Sequence, residues 1–409
     1  MRTKHFLAVL AGVALASCVT DKEYDFRSQN EPAKITFDSP VMYDSNEGTR
    51  ANYHGEISPD LGRYSYPTKE DFQIYAVQHT GDFAGWANAT AAAFNNTSVS
   101  YDFDIDGWAP KANGQYYFWP EGKMSFAACS PAALDQPDGY GTRTYGATGL
   151  TITKFKVPAD ASKQFDLMFS QRTLNQTSAN MNHDATYYSG IPIQFLHALS
   201  SIRFSISNKS SYTVVLKKIT LYGVYDTATF KENITENSAD YTKYTIVNGD
   251  NGGNVNPGWN TDESSVVSST APYVAFDGNV EFPREARYVS DLVNNEELPN
   301  NTGNVNILLL LPQTLPTGAQ LKIDYTVNGS SASKTVNLKD AKIVNKNQGN
   351  AGEGETTATP VTEWKLGTRY TYRLKYSAEA ADKDKIYFSP KSDTWHDAGV
   401  AEIDLAGGN

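Results

Sequence analysis

Two cysteines in 409 residues are the first side chains to weigh, because a thiol can be acylated, oxidised, metallated or used as a nucleophile. Cys18 closes the string Leu15-Ala16-Ser17-Cys18, directly after the apolar run Phe6–Ala16 and the basic pair Arg2 and Lys4. That run is too short to cross a bilayer, which takes about 20 residues, and suits the apolar region of a signal peptide spanning residues 1–17. Small residues ahead of Cys18 admit a signal peptidase, and the exposed thiol can then carry a diacylglyceryl chain. An ordinary signal peptide with a chance cysteine is the blander alternative. Cys18 therefore reads as a lipid attachment point, which leaves Cys129 without a partner for a disulfide framework. Cys129 lies in the alternating run "KMSFAACSP" (Lys123–Pro131), where a small buried core residue is expected.

Metal and catalytic chemistry find little support. "DFDIDG" (Asp102–Gly107) opens like a calcium loop, with Asp102, Asp104 and Asp106 at alternate positions, but Asn113 stands where the bidentate glutamate belongs. An acidic edge strand ending in an Asp-Gly turn accounts for it as well. The six histidines, His5, His54, His79, His183, His197 and His396, are scattered singly. No zinc helix, nucleophile elbow or phosphate loop is present. His197 adjoins the apolar face of an expected strand and reads as a core histidine. Trp86, Trp108, Trp119, Trp259, Trp364 and Trp395 could stack on sugars, but in a β-sandwich a tryptophan is more often core. The expectation is no enzyme, no metal and no cofactor.

The elements that must position these residues are strands. Twenty-five tyrosines, 18 phenylalanines and 6 tryptophans favour β-structure. Period-2 alternation recurs in "FQIYAV" (Phe72–Val77), "FDLMF" (Phe165–Phe169), "IPIQFLHAL" (Ile191–Leu199), "SIRFSIS" (Ser201–Ser207), "LKIDYTV" (Leu321–Val327) and "YTYRLKY" (Tyr370–Tyr376). "NILLLLPQ" (Asn306–Gln313) reads as a strand buried on both faces. "WANATAAAFNN" (Trp86–Asn96) is the one helical candidate. The polar stretch Ser170–Gly190 reads as a linker, and Asn248–Ser265 and Asn345–Pro360 read as loops. The expected fold is all-β, two β-sandwich domains in tandem, at about 31–175 and 186–409. The chain carries −11; removing residues 1–17 takes Arg2 and Lys4, leaving 33 bases against 46 acids, or −13. No basic stripe offers a nucleic-acid surface.

Four segments occur in an order that carries a resemblance: "YYFWPEGKMSFAACSP" (Tyr116–Pro131), "IPIQFLHALSSIRFSI" (Ile191–Ile206), "LLLLPQTLPTGAQLKIDYTV" (Leu308–Val327) and "EWKLGTRYTYRL" (Glu363–Leu374). With the Cys18 signal they make the chain similar to the fimbrillins, lipoprotein-precursor subunits of the type V pili of Bacteroidales. The resemblance implies two transthyretin-like β-sandwich domains. It also implies export to the cell outer membrane, surface exposure, and cleavage by an arginine-specific protease after the first strand. A strand from the next subunit then fills the opened groove of a growing fimbria.

On this sequence the implied parts fall as follows. Residues 18–50 form the lipidated leader with the removable strand "AKITF" (Ala33–Phe37), within 31–38 of the precursor. Cleavage is expected between Arg50 and Ala51, in a polar loop, with Arg27 and Arg63 as less suitable sites. Residues 51–175 and 186–409 form the two domains. "AEIDLAGGN" (Ala401–Asn409) offers Ala401, Ile403 and Leu405 on one face as donor-strand candidates, unless the tail is simply the last strand of its own domain. Partners are other copies or sister pilins, and the outer membrane through the anchor before processing. The alternative reading is a lipid-anchored adhesin or tip subunit holding host glycan or protein.

Overall fold

The computed structural model describes residues 33–37, 41–43, 56–58, 63–66, 69–86, 92–105, 107–132, 140–146, 149–170, 172–178, 190–191, 193–232, 258–262, 264–293, 295–340, 342–344, 358–377 and 396–404. Among them the regular structure is almost entirely strand, with one short helix at Val289–Leu292 and single 3-10 turns at Ala161–Lys163 and Leu338–Asp340.

The expected alternation is met where a strand has one face toward a core. Gln320–Val327 buries Leu321, Ile323 and Tyr325 on one side, and Ile191, Ile193 and Phe195 line another face together. Elsewhere burial runs through both faces. Phe72–His79 buries Phe72, Ile74 and Ala76 on one side but also Tyr75 and Val77 on the other. The reason is that its sheet is covered twice, so the pleat sends successive side chains into two different cores. Leu308–Leu310 is shorter than "NILLLLPQ" suggested, with Leu308 and Leu310 buried and Leu309 partly so.

Three expectations about local structure change. The helix expected over Trp86–Asn96 is not formed by its described residues: Ala93 N–H donates to the Ala76 carbonyl (2.8 Å), and a strand begins at Phe94. Pairing with the Phe72–His79 strand overrides the helix propensity of the alanines. The polar stretch after Ser170 contains a strand, Thr173–Gln176, paired with Lys123–Ser130. In the Asn248–Ser265 loop, Gly258–Thr261 pairs with Thr227–Lys231 and places Trp259 against Phe155 and Phe230.

The largest sheet joins, in order, Glu56–Ser58, Arg63–Ser65, Val41–Tyr43, Gln194–His197, Met168–Ser170, Lys123–Ser130, Phe72–His79, Phe94–Asp102, Gly107–Ala112 and Gln115–Tyr116. One face of its central strands meets a four-stranded sheet built from Gly258–Thr261, Thr227–Lys231, Gly149–Lys156 and Thr142–Gly146. Chain from both sides of residues 175–186 thus contributes to these two sheets. Further along, a seven-stranded sheet centred on Ser200–Asn208 and Thr368–Tyr376 accompanies a five-stranded one centred on Val214–Tyr222 and Gln320–Val327. Their buried side chains form one cluster, which extends to Tyr75, Cys129 and Phe169. Cys129 is fully buried, as its alternating run suggested.

A second, separate core lies on the other face of the large sheet. It gathers Ile35, Phe37, Tyr66, Phe72, Ile74, Phe94, Val99, Trp108, Met124, Phe126, Met168, Ile191, Ile193 and Phe195. Two of these, Ile35 and Phe37, come from far outside the sheet's main path. That placement defines the site described next.

Candidate functional site

Residues 33–37 lie between two ends of the large sheet and close it. On one side Ile35 N–H donates to the Tyr117 carbonyl (2.8 Å), Phe37 N–H to that of Trp108 (2.7 Å), and Trp119 N–H to that of Ala33 (2.9 Å). On the other side Ile191 N–H donates to the Thr36 carbonyl (2.9 Å). The segment runs antiparallel to Trp108 and Phe118 and parallel to the chain at Ile191. Val41–Tyr43 continues the parallel pairing, with Val41 opposite Gln194 and Met42 opposite Phe195.

Alternation decides what this segment buries. Ile35 and Phe37 are each 1% exposed, while Lys34 and Thr36 keep partial contact with solvent. The Phe37 ring meets Phe72 at 5.9 Å and Phe126 at 5.5 Å, both edge to face. Behind it, Tyr66 packs on Phe72, Trp108 and Phe195 at 5.2–5.7 Å. The Tyr66 hydroxyl shares a hydrogen bond with Ser130 Oγ (2.7 Å) and donates to the Asp71 carbonyl (3.1 Å). Burial raises the pKa of that phenol, so it stays neutral. Burying each of the two apolar side chains contributes about 1.5–3 kcal/mol, and each backbone hydrogen bond a net ~1 kcal/mol.

A polar cluster marks the rim. Asn113 and Gly114, both at positive φ, form the two-residue hairpin turn that Asn-Gly favours, which sets Lys111 opposite Tyr116. Lys34 Nζ stands 4.1 Å from the Tyr116 ring centre and Lys111 Nζ 4.5 Å from it. The Tyr116 hydroxyl donates to Asp102, and Lys111 Nζ pairs with the same carboxylate at 2.5 Å. Asp102 is pushed down from its ordinary 3.8 to about 2: burial raises it, but hydrogen bonds from Lys111, Tyr116 and the Asp104 amide outweigh that. Asp102 is thus engaged by this rim, and Asp106 of the same stretch lies outside the described residues.

The opposite end of the chain also lies in a sheet. His396–Asp404 runs parallel to Thr368–Tyr376, from Thr368 opposite His396 to Lys375 opposite Asp404, with a one-residue register shift between Arg369 and Tyr370. On its far side it pairs with Lys342–Val344, with Ile343 opposite Ala401 among the described residues. The backbone of Ala401 and Ile403 is therefore extended and paired, and Leu405 lies outside the described residues. So do Cys18, Arg27, Arg50 and Ala51. Arg63 begins a strand that pairs with Val41–Tyr43.

The remaining candidates are structural where they are described. His197 Nδ1 pairs with Asp166 at 2.8 Å, both nearly buried. His79 bonds Ser125 Oγ (2.9 Å) and the Gly81 carbonyl (2.8 Å). Trp86, Trp108 and Trp364 are buried, and Trp119 and Trp259 are partly so. Trp395 lies outside the described residues. Lys111 and Tyr116 were not singled out by sequence reading; the Asn113-Gly114 turn between them was the available signal.

A sequence model of the fimbrillin-like family matches residues 49–390, most of the chain. No curated protein matches. Solved structures that resemble the chain include a protein from Bacteroides uniformis described as a cell adhesion protein, at 12% identity and TM-score 0.40, covering 85% of this chain and 94% of that one. A cell adhesion protein so described from Bacteroides ovatus matches at 11% identity and TM-score 0.39, covering 84% and 92%. A fimbrial protein from Bacteroides ovatus matches at 12% identity and TM-score 0.34, covering 92% of this chain and 51% of its own.

Proposed function

This chain belongs to the fimbrillin-like family, and from that premise we propose that it is a structural subunit of a cell-surface fimbria whose first strand is a removable placeholder. The observation that carries the reading is the seat of residues 33–37: a short segment bonded on both sides, with Ile35 and Phe37 buried in a core whose other members come from the chain after Arg50.

The steps follow from that seat. Cys18 carries the lipid and holds the precursor at the outer membrane, exposed at the cell surface. Cleavage after Arg50 severs residues 18–50, including the 33–37 segment and Val41–Tyr43, and leaves Ala51 as the new N-terminus. Loss of the segment uncovers the amides and carbonyls of Trp108, Tyr117 and Trp119 on one side and of Ile191 on the other. Two apolar pockets open beside them. A strand supplied by another subunit restores both the hydrogen bonds and the burial, which is β-augmentation with side-chain specificity. Residues 51–175 carry most of the seat, and 186–409 carry the donor candidates Ala401, Ile403 and Leu405. The subunit's partners are copies of itself or sister subunits, and its role is mechanical and adhesive, not enzymatic.

Treating the full-length protein with an arginine-specific protease tests this. Filaments seen by electron microscopy should appear only after cleavage at Arg50. A precursor that polymerises uncut would contradict the placeholder role. A second reading, a lipid-anchored adhesin, is favoured by Phe103, which stands 83% exposed on the turn after Asp102; glycan or host-protein binding that Phe103→Ala removes would support it.

A further inference from the structure

Resting on the reading that residues 33–37 are replaced by a strand from another subunit, we infer that the Tyr116 rim selects an incoming strand with a basic residue directly before its first buried apolar residue. The occupant is therefore a sister subunit's strand of the form basic–aliphatic–polar–aromatic, and not this chain's own C-terminal tail.

Three features of the seat specify that pattern. The pocket filled by Ile35 and the pocket filled by Phe37 are two residues apart, so they take alternate side chains of one extended strand. The second pocket is walled by the rings of Phe72 and Phe126, which meet Phe37 edge to face and match a flat aromatic occupant. At the position before the first pocket, Lys34 Nζ lies over the Tyr116 ring at 4.1 Å. That ring is fixed in place: its hydroxyl is held by Asp102, and Lys111 in turn holds Asp102 at 2.5 Å. The face of the Tyr116 ring favours a cation in Lys34's place.

The chain's own tail lacks that residue. Residues 396–409 contain no lysine or arginine. Laid in the direction of the resident segment, with Ile403 and Leu405 in the two pockets, the tail brings Glu402 to the Tyr116 ring and next to Asp102. Laid in the reverse direction, it brings Ala406 there. An acid at this place meets the ring's negative face, and an alanine gives up the contact that Lys34 makes with it. The tail's acidic character suits the seat of a different subunit, which gives the fimbria an order of assembly.

The test uses the full chain cleaved at Arg50 and fluorescently labelled peptides, with affinities from anisotropy. The probes are residues 31–45, the same peptide with Lys34→Gln or Lys34→Glu, and residues 396–409. Lys34→Gln should weaken binding about two- to fivefold, the range of an exposed cation–ring contact, with Lys34→Glu and the tail peptide weaker still. Tyr116→Phe in the protein should keep the preference for lysine, and Tyr116→Leu should remove it. Equal binding of the unsubstituted and Lys34→Glu peptides to the unmodified protein would overturn the selection. A tail peptide that binds as tightly as residues 31–45 would do the same. If no peptide binds the cleaved protein, the replaceable strand itself fails, and this inference falls with it.

Discussion

The two ends of the chain both add a strand to a sheet, but they do so in different ways. The 33–37 segment is bonded on both sides and buries Ile35 and Phe37 in a core separate from the main one. The 396–404 strand is paired along one neighbour, Thr368–Tyr376, and on its other side meets Lys342–Val344, with Ile343 opposite Ala401. Taking away the first opens a core; taking away the second parts Lys342–Val344 and Ala358–Pro360 from Thr368–Tyr376. In the proposed mechanism the opened core is the seat of a replacement strand, and the 396–404 strand is the candidate donor, whose release breaks its ladder with Thr368–Tyr376 and its pairing with Lys342–Val344.

The sharpest way to break that distinction is to block its first step. Arg50→Ala should abolish filament formation by protease-treated protein, read by electron microscopy, and filaments of normal yield would remove Arg50 from the mechanism. At the other end, a chain terminating at Gly399 should still accept a strand at its own seat but fail to donate one to a sister subunit; normal co-assembly with that subunit would show that the tail is not the donor. Within the seat, Phe37→Ala should lower the stability of the uncut precursor by about 3–5 kcal/mol, measured by chemical denaturation, as for deletion of a buried aromatic ring. Ile35→Val deletes one methylene from the neighbouring pocket and should cost about 0.5–1.5 kcal/mol in the same measurement.

The smallest effect concerns the rim. The folded Asp102 carboxyl is depressed to about 2, below its ordinary 3.8. Its contribution to stability is therefore present above pH 3.8 and lost as the pH falls through 2. Carboxyl NMR titration should place its midpoint near 2, and Lys111→Ala should move the midpoint up toward 3.8.

Much of this was legible in the residues themselves, and the misses have physical causes. Alternation in Leu321–Val327 and Ile191–Phe195 marked faces that the fold does bury. The "AKITF" segment showed its two inward residues for the same reason. Alternation could not show that Tyr75 and Val77 are also buried, because a second covering sheet leaves no periodic trace. The alanines of Trp86–Asn96 suggested helix, yet the adjacent Phe72–His79 edge drew Phe94 into a strand. The acidic run at Asp102 read as a solvated edge strand, yet the Asn113-Gly114 turn brings Lys111 and Tyr116 to its carboxylate. Long-range pairing, such as Phe37 with Trp108 and Ile191, is invisible to local pattern because it depends on how the whole sheet closes.

In the proposed mechanism the first strand is a placeholder lost on the way to the fimbria. Mass spectrometry of the protein's N-terminus, on material recovered from the native cell surface, tests that claim most directly. The account predicts a mature chain beginning at Ala51. An intact chain still carrying acylated Cys18, with residues 33–37 in their seat, would contradict it.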